Sequence, residues 1–506
     1  DPAVNWLYAT EPDPGLAGNR DHWPRGKILG GSSSINAMVW IRGHAGDYED
    51  WEAAAGPEWG WQAARAAYRA IEDNEAGGDD WRGTGGPLFI SANRRDLHPL
   101  VETFLRSAEA TGLSRNEDFN GAGQEGVGVY QMTIRKARRN SAARAFLRPA
   151  MKRPNVAVLT NAQVTRVLFE GQRAVGVEYR RKGVSGQVRA LSEVILSAGA
   201  IGSPQLLMLS GIGPAAHLRD HGIEVIADAP QVGRNLCDHQ GLNYTWRMTV
   251  PTYNDILRPW WGKALVGMKY LLTGTGPLAK SINHAGGFFR TSPDLPRPNM
   301  QLYFQAFSTL IPRGGERPLL TPDPFSGLSI GLSNCRPTSR GEITLKSADP
   351  FAHPRIVANA YSTDRDVAEM LAAVKFLRRI ASSLPWRRDG RLASNRPRLS
   401  AGSGFAVDHQ AGASPPLSGT FAPLRALRPA DPGGELASEG PTAPKGAYSV
   451  QGHREADMPG PAEHRPGPAE VPAENVPRHH PPVRTCVGAE GAGPRQGTDV
   501  RRHHPT

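Results

Sequence analysis

The sequence predicts a mixed α/β fold, and three observations carry the prediction. Between residues 156 and 196 four strand-like runs alternate with turn signals, and the last ends in small residues that open a helix. A second strand-rich stretch, Arg290 to Arg355, leads into an amphipathic helix at Asp364 to Ser382. Beyond Trp386 both periodicities stop.

Taken in order, Asp1 to Arg25 reads as irregular, punctuated by Pro12, Pro14, Gly15, Gly18 and Pro24. Gly26 to Gly43 is a glycine/serine-rich loop entering an apolar stretch. Asp50 to Asn74 has helical spacing marked by Trp51, Ala55, Trp59, Ala63, Tyr68 and Ile71. Leu97 to Thr111 is a second helix, with Leu100, Phe104, Leu105 and Ala108 on one side. The four strand-like runs are Val156 to Thr160, Val164 to Phe169, Arg173 to Tyr179 and Gln187 to Leu196. Their separators include Glu170-Gly171-Gln172 and Lys182-Gly183. Pro204 to Ser210 restarts a helix with Ser203-Pro204 as cap and first turn. Val194 to Leu196 is predicted to be a buried strand ending at Gly199, because an apolar run followed by small residues suits a parallel-sheet strand. Asn299 to Phe304 and Gly341 to Leu345 are strands, and Val367, Met370, Leu371, Val374, Leu377 and Ile380 line one face of the last helix.

With 506 residues the chain is long enough for two or three domains. Its formal charge of +11 raises nucleic acid as a partner, but the basic residues are scattered and no basic run is interleaved with aromatics, so nucleic acid is excluded. Cys237, Cys335 and Cys486 have no metal spacing, which excludes a cysteine metal site and a disulfide framework and points to a reducing compartment. The expected location is therefore the cytoplasm, with membrane association left open. The first residues do not read as a signal peptide, and the lack of an initiating Met leads us to expect that the true start is missing. The most apolar stretch, Val194 to Ile212, is broken by Ser197, Gly199, Gly202, Ser203, Pro204 and Gln205, so no transmembrane segment is expected.

Two segments carry chemistry. In Gly26-Lys27-Ile28-Leu29-Gly30-Gly31-Ser32-Ser33-Ser34-Ile35-Asn36-Ala37-Met38-Val39, paired glycines and three serines let the backbone approach an anionic or planar ligand and offer N–H and O–H donors. A plain capping turn has the same composition, and spacing alone leaves both readings open. In Ser197 to Gly213 a strand runs through small residues into a helix start, the place where nucleotides collect in open α/β sheets. A tight packing turn reads the same way.

Together the two segments resemble the signature motifs of the glucose–methanol–choline (GMC) oxidoreductases. Further segments agree in order: Trp23 to Lys27, Ile41 to Tyr48, Asn140 to Leu147, Val232 to His239 and Pro337 to Gly341. The resemblance covers residues 1 to about 386 and is nearest to the bacterial choline-dehydrogenase-like branch. It implies a Rossmann-like FAD/NAD(P)-binding domain, incomplete here, with an antiparallel-sheet substrate domain. Residues 1–240 would be the FAD-binding region, 241–386 the substrate region, and 387–506 a low-complexity tail. It also implies that FAD lies along Ile28, Gly30, Gly31, Ser32, Ser33, Ser34, Asn36, Ala37, Met38 and Val39, with Val164, Ala198, Gly199 and Ala200 toward its adenosine end. Some members tether FAD through a histidine where Ile35 stands here, so the FAD is expected to be non-covalent. The implied substrate is a small-molecule alcohol, losing hydride from its carbinol carbon to flavin N5. Gly286 to Phe289 and Leu302 to Gln305 fall in the substrate sheet, as wall residues or as sheet core.

Two family features do not appear in the sequence: the opening Gly-x-Gly-x-x-Gly turn, and the His-Pro-containing segment whose histidine serves as base. No catalytic residue is assigned. These absences set up a second reading, a truncated or frameshifted remnant with little bound flavin and no turnover. The last 120 residues hold 18 prolines, 14 arginines against one lysine, and neither isoleucine nor tryptophan, which reads as a wrong translation frame or a disordered appendage without a core. His480-Pro481-Pro482-Val483 resembles the missing segment only faintly.

Overall fold

The computed structural model describes residues 1–309, 321–383, 386, 398–401 and 405–407. Of the two compact units into which the chain divides, these residues all belong to the first; the second, Arg428–Pro482, lies outside them. So does nearly all of the tail reading.

The main strands in chain order are β1 (Gly126–Val129), β2 (Ala162–Glu170), β3 (Arg173–Arg181), β4 (Val184–Arg189), β5 (Gly241–Arg247), β6 (Ala285–Phe289), β7 (Met300–Gln305), β8 (Gly327–Asn334), β9 (Arg398–Ala401) and β10 (Phe405–Val407). The longer helices are α1 (Ala45–Ala55), α2 (Trp61–Ile71), α3 (Leu100–Glu109), α4 (Gly199–Leu209), α5 (Trp260–Thr273) and α6 (Asp364–Ala381). A seven-stranded sheet, antiparallel throughout, runs in the order β10-β9-β5-β8-β7-β6-β1. A separate three-stranded antiparallel sheet holds β4-β3-β2.

Strand β8 is buried along its whole length because both faces of the large sheet are covered. Its sequence alternates, so Leu328, Ile330 and Leu332 fall on one face and Ser329, Gly331 and Ser333 on the other. The leucine face meets Met300, Leu302 and Phe304 of β7 and is closed by Leu100, Phe104 and Leu105 of α3 with Met370, Val374 and Leu377 of α6. Phe104 stacks on Phe304 at 4.8 Å. Each fully buried side chain of this kind contributes roughly 1.5–3 kcal/mol, which makes this layer the main anchor of the fold. The serine face is satisfied internally: Ser329 pairs with Thr245, and Ser333 with the Tyr303 hydroxyl. Beside it Phe119, Tyr130 and Phe288 form a smaller cluster against Val39 and Ile41.

Helix α6 starts at Thr363, whose hydroxyl accepts from the Asp366 N–H. Asp366 is fully buried and accepts from the N–H and hydroxyl of both Thr338 and Ser339. Burial pushes its carboxyl pKa up, but the hydrogen bonds from Ser339 and Thr338 outweigh it and hold the group below the usual range.

Five local expectations are revised. The helical spacing of 50–74 resolves into α1 and α2, because Gly56-Pro57 and Gly60 interrupt the backbone between them; Trp51 and Trp59 stay exposed. Val156 to Thr160 joins no ladder, and Val194 to Leu196 is no regular strand, only Leu196 making a bridge. Val194 is buried by packing with Val167 and Leu206 instead, the partly buried Leu196 beside them. Helix α4 begins at Gly199, a turn before Ser203-Pro204, so Pro204 lies inside it. Finally, β9 and β10 lie past Trp386, with β9 paired to β5, where the sequence pattern gave no strand.

Candidate functional site

The glycine/serine loop is a one-turn 3₁₀ segment, Gly31–Ser34, entered through Gly30 in the left-handed region at φ 88°. The serine hydroxyls, expected to serve a ligand, are spent on the loop itself. Ser32 Oγ accepts from the Gly26 N–H at 3.2 Å. Ser33 Oγ donates to the Gly30 carbonyl and accepts from the Ala142 N–H, and Ser34 Oγ donates to the Leu29 carbonyl. Ile28 closes the entry, its carbonyl accepting from the Gly31 N–H at 2.8 Å. The N–H groups of Gly30 and Ala37 find no partner among the described residues. The hydroxyls thus fix the loop, and backbone donors are what it has left to offer.

Past the loop, Met38 adopts φ 61°, a strained conformation for a side chain of its size. It is held from both ends: its N–H donates to Asn36 Oδ1 at 3.0 Å, and its carbonyl accepts from the N–H and hydroxyl of Thr133. Arg139 completes the corner by donating to Asn36 Oδ1 at 2.6 Å and to the Ser33 carbonyl at 3.2 Å; partial burial lowers its pKa. In the sequence Arg139 is one of the scattered basic residues. The signal for Arg139 was its place just before Asn140 to Leu147. Val39 bridges to Met132 and packs beneath the large sheet.

The chain is then anchored at Arg42, whose guanidinium is 1% exposed and bonds the fully buried Glu72 carboxylate at 2.6 Å. Glu72 also accepts from the Trp40 indole N–H and the Gly83 N–H, and Arg42 donates to the Trp81 carbonyl. Nothing in the local sequence around either residue announced this pair.

The second segment is organised differently. Ala198, Gly199 and Ala200 are exposed at the start of α4, whose first N–H groups have no side-chain cap among the described residues. Gly199 has φ 80° and open space where a Cβ would stand. Val164, in β2, is half-buried and packs with the cluster that holds Leu206 of α4. Trp23, three residues before Gly26, shares another cluster with Ile201 and Met208 of α4. The structure therefore joins Val164 to the second segment directly, and the first segment to the second through Trp23.

A cavity of about 410 Å³ opens beside Met38. Met38, Arg139, Tyr253, Lys280 and His284 line it together with the apolar Ile134 and Leu257. His284 is buried and its Nδ1 has no hydrogen-bond partner among the described residues. The sequence reading did not single it out. Among the described residues no group of three or more His, Cys, Asp or Glu is arranged to hold a metal ion.

This architecture has relatives. The chain belongs to the GMC oxidoreductase family: the family's N-terminal profile matches residues 15–241 and its C-terminal profile residues 337–413. The second match runs past Trp386, in agreement with β9 and β10. Among curated proteins the chain is 42% identical to an alcohol dehydrogenase [acceptor] of Pseudomonas putida over 74% of this chain and 68% of that one. It is 41% identical to the mitochondrial choline dehydrogenase of Homo sapiens over 75% of this chain and 63% of that one. It therefore spans about two thirds of these relatives' length. Among solved structures, a formate oxidase superposes with a TM-score of 0.72 at 25% identity, covering 84% of this chain and 76% of that one. Pyridoxine 4-oxidase from Mesorbium loti gives 0.69 at 27%, covering 84% and 75%.

Proposed function

We propose that this chain carries out FAD-dependent oxidation of the CH–OH group of a small-molecule alcohol. The observation that carries the reading is the juxtaposition at Met38, where the glycine/serine loop ends against a cavity of substrate size. Bound FAD supplies the two-electron acceptor for the carbinol hydrogen. The residues present fit that cofactor: N–H groups at Gly30 and Ala37 without a partner among the described residues suit a polar planar ligand, and the N–H groups at Gly199 and Ala200 suit the polar atoms of its adenosine end. Ile28, Gly30 to Ser34 and Asn36 to Val39 form one wall of the cofactor site, with Val164 and Ala198 to Ala200 toward the adenosine. Ile35 has no nucleophilic atom, so the cofactor is held without a covalent bond. Residues 1–240 serve the cofactor and 241–386 the substrate.

The test is a visible spectrum after incubation with excess FAD, followed by dye reduction with short aliphatic, aromatic and quaternary-ammonium alcohols. A bound flavin that bleaches on adding one of them is expected. The remnant reading predicts neither, and relatives at 42% identity over three quarters of the chain favour the enzyme over it.

No helix among the described residues is long and apolar enough to cross a membrane. We place the protein in the cytoplasm and on an anionic membrane surface, with α5 as the contact. Trp260, Trp261, Leu265, Met268, Leu271 and Leu272 are all exposed on this helix, between 53 and 82%. Arg258, Lys263 and Lys269 accompany them, and the helix has no acidic residue. Anionic vesicles should sediment the protein and shift its Trp emission to the blue, and Trp260→Ser with Trp261→Ser should abolish both. Equal recovery with neutral vesicles, or a dimer that buries Trp260, would refute the placement.

A further inference from the structure

Resting on the alcohol-oxidising reading, the geometry points to a cavity that takes uncharged alcohols and turns away quaternary-ammonium ones, with His284 as the specificity-determining residue. Three features of the cavity beside Met38 carry this.

The first is charge. Arg138, Arg139 and Lys280 line the cavity, and no carboxylate does so among the described residues. Lys280 is half-buried; burial lowers its pKa, while Asp96 and Glu75 pull it up from outside the lining. A trimethylammonium group entering here meets fixed positive charge at short range and finds no lining anion to replace its hydration.

The second is His284. Its ring is 1% exposed and packs edge-on against Tyr253 at 5.6 Å, and His98 packs edge-on against the same tyrosine at 4.8 Å. Burial, then Lys280 and His98, push its pKa down to about 4, against a hydrogen bond with the Ser281 backbone. The imidazole is therefore neutral at neutral pH. Nδ1 is buried without a partner among the described residues, and with the ring proton on Nε2 it is a lone acceptor. A buried acceptor left empty is costly, and an alcohol hydroxyl can fill it. Choline carries the same hydroxyl, so the acceptor alone does not separate the two; the neutral ring offers no anion to balance choline's trimethylammonium head, whereas an uncharged body needs none.

The third is the remaining surface. Ile134, Leu257, Leu278 and Ile282 present aliphatic walls that suit a hydrocarbon body.

Choline and 3,3-dimethylbutan-1-ol have nearly the same shape and differ in charge, so they isolate the effect. With the FAD-loaded protein, kcat/KM for dye reduction should favour the uncharged alcohol at least tenfold. His284→Glu should shift the ratio toward choline by tenfold or more, and His284→Gln, which keeps an acceptor, should leave it within threefold. Choline preferred by the parent, or a ratio unmoved in His284→Glu, overturns the inference while the alcohol-oxidising reading stands. If neither alcohol reduces flavin, that reading fails, and binding decides the inference separately. The ¹⁵N imidazole resonance of His284 should move on titration with 3,3-dimethylbutan-1-ol and not with choline. A shift with choline, or with neither, overturns it.

Discussion

Replacing Glu72 by Ala should destabilise the protein by about 3–5 kcal/mol, the loss expected when one partner of a buried ion pair is removed and the other stays. Arg42 is 1% exposed and Glu72 not at all, so water cannot take over either charge. The carboxylate also receives the Trp40 indole and the Gly83 N–H, which would be orphaned together with the guanidinium. Asn120 accepts from the Arg42 N–H at 2.7 Å and donates to the Trp40 carbonyl, tying the same stretch of backbone down a second time. Because Trp40 and Arg42 follow directly on Met38 and Val39, loosening this anchor should weaken cofactor binding as well. The double replacement Arg42→Met with Glu72→Leu removes both charges, and it should recover at least about 1 kcal/mol of the loss. Recovery stays partial because the Gly83 N–H loses its partner in both variants and the Trp81 carbonyl loses its partner in the double one. Urea unfolding of the two variants measures this. A loss below about 1 kcal/mol for Glu72→Ala would show that the pair is dispensable.

That pair also marks where the sequence stops being legible. Elements governed by their own periodicity were readable: α3 and α6 fall within the expected stretches, and all four apolar markers of α3 are buried. The hairpin strands β2 and β3 followed from Gly171 and Lys182-Gly183, because a turn and its flanking alternation are local. Partners far apart in the chain left no such trace. Arg42 and Glu72 are 30 residues apart, and Asn36 and Arg139 are 103 apart. Val194 to Leu196 misled for a related reason. An apolar run states that it will be buried, but not whether a ladder or side-chain packing will bury it, and here Val167 and Leu206 do so. His284 was illegible because its ring packs on Tyr253 and its pKa is lowered in part by His98, both far from it in the chain. The glycine/serine loop was legible in kind but not in role: its composition announced close backbone approach, while the use of all three hydroxyls inside the loop emerges only in three dimensions.

Gly26 gives the sharpest test of that loop. A Cβ built there would stand 2.2 Å from the Gly31 carbonyl oxygen, 2.4 Å from its carbon and 2.8 Å from the Ser32 nitrogen. All three are backbone atoms, so no side-chain rotation can relieve the contact. Gly26→Val must therefore push Gly31 and Ser32 outward, break the bond from the Gly26 N–H to Ser32 Oγ, and move the Gly30 N–H away from any ligand. Gly30 cannot follow freely, since its own Cα hydrogen faces the Ala143 backbone nitrogen, 2.9 Å from where a Cβ would stand. Losing two hydrogen bonds to a polar cofactor at roughly 1.5 kcal/mol each, the lower bound for charged partners, totals about 3 kcal/mol. That corresponds to about a hundredfold or greater loss of FAD affinity. Gly123→Ala is the control: a Cβ there meets nothing within 4 Å, and neither stability nor flavin affinity should change. Quenching of flavin fluorescence measures the affinities, and far-UV circular dichroism separates a displaced loop from an unfolded chain. A Gly26→Val protein that stays folded and binds FAD within threefold of the parent would remove the loop from the cofactor site.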